Sequence, residues 1–178
     1  MLAHYLQFHR NERNADSFVG GLPKHLPSKF PWDETEDNEF AFVLQLATNS
    51  PHLHLSGITA IQLYQPISDG DDPTPFVIPV LPHQKQTSRH VHRHPMLDEW
   101  DISFIEMDDP EVMPNDFGSV AAHSIFQSKI GGLDVWRCGD HTRKYLLQLK
   151  EGPAEINFGG LTCIVVQTGP TSFQSILR

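Results

Sequence analysis

The chain reads as a mainly β protein, or α+β with antiparallel sheets, in which two pseudo-symmetric repeats of antiparallel sheet share one core. Three observations predict this. A Gly-Gly turn followed by leucine occurs twice, in Ser17-Phe18-Val19-Gly20-Gly21-Leu22 and in Ser128-Lys129-Ile130-Gly131-Gly132-Leu133. Each copy precedes an apolar run enclosing one glutamine, Phe42-Val43-Leu44-Gln45-Leu46 and Tyr145-Leu146-Leu147-Gln148-Leu149. Twelve positions after each glutamine a glycine, Gly57 or Gly160, opens a β-rich run. A repeat at matched spacing decides the architecture before any single element does. Long helical periodicities are lacking, and short apolar runs punctuated by Pro, Gly and Asn suit antiparallel sheets.

In chain order, Leu2, Tyr5 and Leu6 followed by a polar stretch predict one short helix within residues 1–16. Residues 17–22 read as a strand entering a turn whose glycines supply positive φ or close backbone approach. Pro23, Pro27 and Pro31 hold the next segment in an extended loop, from which Trp32 is expected to plug the core. Residues 40–47 are a buried strand, broken at Asn49-Ser50-Pro51. A strand over 57–65 stops at Pro66, and 69–73 is a turn. Residues 76–81 form a strand in which Pro79 marks an edge or a bulge. Residues 83–95 are basic and His-rich, 100–105 alternate as a strand, and 119–126 suit a short helix. After the second copy, a strand is expected at 173–177. The chain is thus one domain over 1–178. Repeat one covers about 17–81, a His-rich and acidic connecting segment about 82–118, and repeat two about 119–178.

A chain of 178 residues with 39% apolar and 20% charged content fits one globular domain with a real core. No apolar run approaches the ~20 residues that span a bilayer, and the N-terminal residues lack the basic n-region of a signal peptide. Of the two cysteines, Cys163 falls mid-strand as a small buried hydrophobe, so no disulfide framework is indicated and a cytoplasmic setting is expected. A formal net charge of −9 argues against nucleic acid, whose phosphates need clustered Lys and Arg. A membrane partner is not expected either.

The charge is unevenly placed. Residues 98–116 hold eight acids and neither Lys nor Arg, and a second acidic run occupies 33–39. The Ser-x-x-Gly-Gly-Leu segment, the Pro31-Trp32 loop, the Leu-Gln-Leu strand and the Gly-Ile/Leu-Thr strand, followed by a second Lys-Ile-Gly-Gly copy, resemble the bacterial YwqG-like family of unknown function. The resemblance covers about residues 17–66 and 128–168. It implies a pseudo-twofold fold of antiparallel sheets and no established catalytic residues. It also implies, for some members, a role as immunity proteins against secreted toxins.

Candidate chemistry lies in four places. His90, His92 and His94 alternate, as do His52 and His54, so extended backbone would gather imidazoles on one side, the donors a zinc, nickel or copper site uses. Lys85, Arg89 and Arg93 interleave them and favour a solvated basic loop instead. This metal-dependent hydrolase or small-ligand binder is the alternative reading. Cys138-Gly139-Asp140-His141 sets a thiol near an imidazole, but Gly139-Asp140 suffices as a turn and no oxyanion element accompanies it. Gln45 and Gln148 are amides in apolar strands and are expected to bond loop backbone in their own halves. The acidic segment is the sharpest feature. Trp100, Ile102 and Phe104 would share one strand face, and Glu99, Asp101 and Ser103 the other. Crowded carboxylates repel one another, and a basic partner relieves that repulsion and is steered in quickly. The leading reading is therefore a non-enzymatic, cofactor-free binding protein, an immunity protein for a basic toxin. Asp98, Glu99, Asp101, Glu106, Asp108 and Asp109 would meet the toxin's cations, with Trp100 as an apolar anchor.

Overall fold

The computed structural model describes residues 1–10, 15–27, 30, 40–66, 74–83, 91–109, 127–132, 134, 136, 138–151 and 156–178. Every regular element among them is a strand. In order these are β1 (Leu2–Arg10), β2 (Phe18–Val19), β3 (Phe40–Ala47), β4 (Asn49–Ser50), β5 (Leu53–His54), β6 (Ala60–Pro66), β7 (Phe76–Val80), β8 (His92–Arg93), β9 (Trp100–Asp108), β10 (Lys129–Gly131), β11 (Lys144–Lys150), β12 (Thr162–Gly169) and β13 (Ser172–Leu177). Ten of them make one antiparallel path, β13-β12-β11-β10-β1-β9-β2-β3-β6-β7. The short β8 adds a parallel pairing to β3, and β4-β5 is a separate hairpin. The two ends of the path meet where the Ser175 hydroxyl donates to the Pro75 carbonyl, so the sheet nearly closes into a barrel. Pro79 stands on the terminal strand β7. The Val80 carbonyl turns toward β6 to accept from Thr59, so the ring of Pro79 takes a position facing the seam, where no ladder needs its missing N–H.

The path is palindromic, and its hydrogen bonds repeat residue for residue. Gln45 Nε2 donates to the Asp16 carbonyl at 3.1 Å, and Gln148 Nε2 to the Gln127 carbonyl at 2.7 Å. Ser17 Oγ accepts from Ala47 N, and Ser128 Oγ from Lys150 N. The carbonyls of the same two serines accept from Ile102 N and Leu6 N. A bulge interrupts the ladder between Phe42 and Leu44 in one copy and between Tyr145 and Leu147 in the other. The expected backbone bonds of the two glutamines are thus present in both halves.

The same pairing lengthens the repeats. Ile102 stands to Ser17 as Leu6 stands to Ser128, which makes β9 the counterpart of β1. The acidic segment, expected to lie between the repeats, contributes the opening strand of the second. Leu6, Leu44, Leu46 and Leu63 from one half and Ile102, Leu147, Leu149 and Val165 from the other belong to one buried cluster, so the core is shared. Outside the barrel wall each half buries a smaller cluster: Phe18, Phe30, Phe42 and Tyr64 in the first, Cys138, Ile164 and Val166 with Trp136 and Tyr145 in the second.

The helix expected near the N-terminus is instead strand β1. Its side chains alternate, with Ala3 and Tyr5 buried on one face and Leu6 and Phe8 packing on the core from the other. Nine residue pairs with β9 outweigh the weak 3.6-residue signal of Leu2, Tyr5 and Leu6. Trp32, the acidic run at 33–39 and the helix expected at 119–126 lie outside the described residues.

Candidate functional site

The acids of the 98–109 stretch lie on β9 or directly beside its two ends, and their neighbours decide what each can do. Asp98, just before the strand, receives Arg10 Nη2 at 2.9 Å, and Arg10 also lies over the Trp100 ring at 5.2 Å. Glu99 receives Arg93 Nη2 at 3.1 Å. Asp109 is not at the surface. Its carboxylate and the ammonium of Lys129 are both fully buried and joined, and the Tyr5 hydroxyl donates to the other oxygen at 2.7 Å. Asp109 therefore leaves the set of partner-binding residues, because no partner's cation reaches a carboxylate already ringed by protein. Trp100 leaves it as an anchor, since the half-buried ring packs on the shared core and under Arg10. Asp101 is half-buried, with one oxygen enclosed and lacking a hydrogen-bond partner among the described residues. Only Glu106 and Asp108 keep solvent-facing carboxylates clear of Lys and Arg among the described residues. Glu111 and Asp116 lie outside those residues.

Glu106 and Asp108 occupy the end of the strand where its alternation breaks down. From Ile105 to Asp108 every residue is exposed, and Ile105 and Met107 show 46% and 53% of their surface. The cations that hold Asp98, Glu99 and Asp109 carry no signal within the segment itself, but one is legible elsewhere in the sequence. Lys129 aligns with Phe18 in the other copy, and an ammonium at a core phenylalanine position demands a buried counter-charge.

The histidines assemble differently from the spacing. His90 and the side chain of His92 lie outside the described residues. His94 Nδ1 accepts from Met96 N at 3.2 Å in a local turn, and burial lowers its basicity. No three His, Cys, Asp or Glu side chains stand together in metal-holding geometry among the described residues. What does come together is His52, on the β4-β5 turn, with His4 of β1. Their Nδ1 atoms are 3.2 Å apart, His52 stacks on Phe104 at 4.8 Å, and Glu106 approaches His4 at 3.9 Å. Two facing ring nitrogens need one hydrogen and one lone pair between them, so the contact cannot form between two imidazolium ions. Burial first, and the neighbouring His4 second, hold the His52 pKa below its ordinary 6.5 against a weaker opposing pull from Glu106. The unfolded chain therefore takes up this proton more readily, and the contribution to stability is present above pH 6.5 and lost as the pH falls below it. Urea midpoints at pH 7.5 and 5.5 should differ less in His52→Gln than in the wild type; an equal difference would remove this pair from the acid response.

The Cys138 segment is a turn. Asp140 accepts from the Thr142 hydroxyl at 2.6 Å and from Thr142 N and Arg143 N at 2.7 and 2.9 Å, and these bonds, the hydroxyl first, with the Arg143 guanidinium hold its carboxyl well below the usual range. Burial and Asp134 push the Cys138 thiol up, away from the thiolate that a nucleophile needs. No helix among the described residues is long and apolar enough to cross a membrane. No family model matches the chain, and no curated protein matches it with significance.

Proposed function

We propose that this chain is a non-enzymatic binding protein that works in the cytoplasm and blocks a basic protein by direct contact, a cognate toxin being the case that the family resemblance implies. One observation carries the reading. The last four residues of β9 combine two exposed carboxylates, Glu106 and Asp108, that meet no Lys or Arg among the described residues, with two exposed apolar side chains, Ile105 and Met107, on a strand anchored along its whole length to β1. Apolar contact supplies affinity and the flanking charge supplies steering, which is the composition of a protein-binding rim. The free thiols of Cys138 and Cys163 suit a reducing compartment. Asp98 and Glu99 add little to recognition, because Arg10 and Arg93 already hold them.

The test is surface plasmon resonance against the basic protein encoded beside this one in its genome. Glu106→Gln/Asp108→Asn should lower the association rate by about tenfold at low ionic strength and much less at 0.5 M salt, as screening removes steering. Asp98→Asn should leave the rate near that of the wild type. An unchanged rate in the double variant would overturn the assignment of this rim.

A further inference from the structure

β9 is flanked unequally on its two edges. Along β1 it is paired from Trp100 to Asp108, whereas β2 covers only Trp100 and Asp101 on the other edge. The last bond on the β2 side is Ile102 N to the Ser17 carbonyl, and Asp109 N turns the opposite way, to the Met1 carbonyl on the β1 side. Backbone groups alternate along a strand, so the N–H and C=O of Phe104, Glu106 and Asp108 point to the edge beyond Ser17. No described strand pairs with β9 there. Strand edges of this kind add further strands, and natural proteins guard them with charge.

We infer that the edge of β9 from Phe104 to Asp108 takes up an extended segment of the basic partner as an added antiparallel or parallel strand, one with basic residues at every second position and apolar residues between. This deepens the reading above and rests on it. The side-chain pattern sets the partner's chemistry. Glu106 and Asp108 project from one face of the sheet and Ile105 and Met107 from the other, with a period of two. An added strand sets its own alternate residues beside these. Lys or Arg then stands next to the carboxylates on one face, and Val, Ile or Leu next to Ile105 and Met107 on the other. A second copy of β9 would set carboxylate against carboxylate, so the same acids that select a basic strand disfavour self-pairing. The counterpart edge of β1 does not serve another copy well either, because its strong cation, Arg10, is held by Asp98 and lies over Trp100.

The experiment uses the full chain and three synthetic peptides of about eight residues. One alternates Lys and Val, one has the same composition in two blocks, and one is the alternating peptide N-methylated at every second residue to remove its ladder donors. Binding is followed by fluorescence anisotropy, and amide exchange is read at Phe104, Glu106 and Asp108. The alternating peptide should bind, should protect those three amides, and should lose about tenfold or more in affinity in the blocked and methylated forms. Charge reversal by Glu106→Lys/Asp108→Lys should shift preference to a Glu-Val peptide. Equal, salt-sensitive binding of all three peptides without amide protection would overturn strand addition while leaving a basic partner in place. Failure of any cationic peptide to bind would overturn both readings. Sedimentation showing a dimer through this edge would assign it to a second copy and would also overturn the inference.

Discussion

Lys129→Met should lower the unfolding free energy by about 3–5 kcal/mol, read as a fall in urea midpoint with little change in slope. Lys129 and Asp109 are both fully buried and bonded to each other outside the barrel wall. Removing the ammonium strands a carboxylate in a site closed to water. The Tyr5 hydroxyl remains as a donor to it, but neutral hydrogen bonding does not replace a charge. Replacing both members, as Lys129→Met/Asp109→Leu, should recover most of the loss, because an apolar pair of similar size needs no desolvation of charge. A single variant as stable as the wild type would show that the pair is not closed off from solvent as described. This contact ties β10 to the end of β9, so the single variant should also loosen the strand that carries Glu106 and Asp108.

Gly20→Ala should be among the most damaging small substitutions in the chain, on the order of 4 kcal/mol, and Gly57→Ala should cost only about 1–2 kcal/mol. Both glycines have positive φ, 72° and 75°. The backbone strain of an L residue is therefore similar at the two sites. What differs is the space around them. A methyl group on Gly20 would collide with the carbonyl of Asp98, whereas nothing lies near the same position on Gly57. The Gly20 turn packs directly against the segment entering β9, so relief of the collision must displace main chain rather than a flexible side chain. Urea denaturation of the two variants side by side separates strain from collision; equal losses would mean that the collision is relieved cheaply.

The sequence alone reached a mainly β fold of two repeats and its internal symmetry, but not the strand at its N-terminus. Matched Gly-Gly turns and glutamines are local signals, because a tight turn needs glycine and an amide inside an apolar strand needs a backbone partner nearby. The bonds of Gln45 to the Asp16 carbonyl and of Gln148 to the Gln127 carbonyl follow from that requirement. So do the strands over 40–47 and 100–105 and the burial of Cys163, since alternation and continuous apolar runs reflect which faces avoid water.

Only the tertiary structure decided which charges are available. Arg10, Arg93 and Lys129 lie 88, 6 and 20 positions from the acids they hold, and two of those separations carry no local signal. The concentration of acid at 98–109 therefore overstates what the surface presents there. β1 is a strand for the same reason: its partner β9 lies about a hundred residues away, and a ladder of that span outweighs a weak local helical pattern. Patterns of hydropathy report burial residue by residue, whereas charge compensation depends on which distant strands become neighbours. That choice left Glu106 and Asp108 exposed on β9 and closed Asp109 inside.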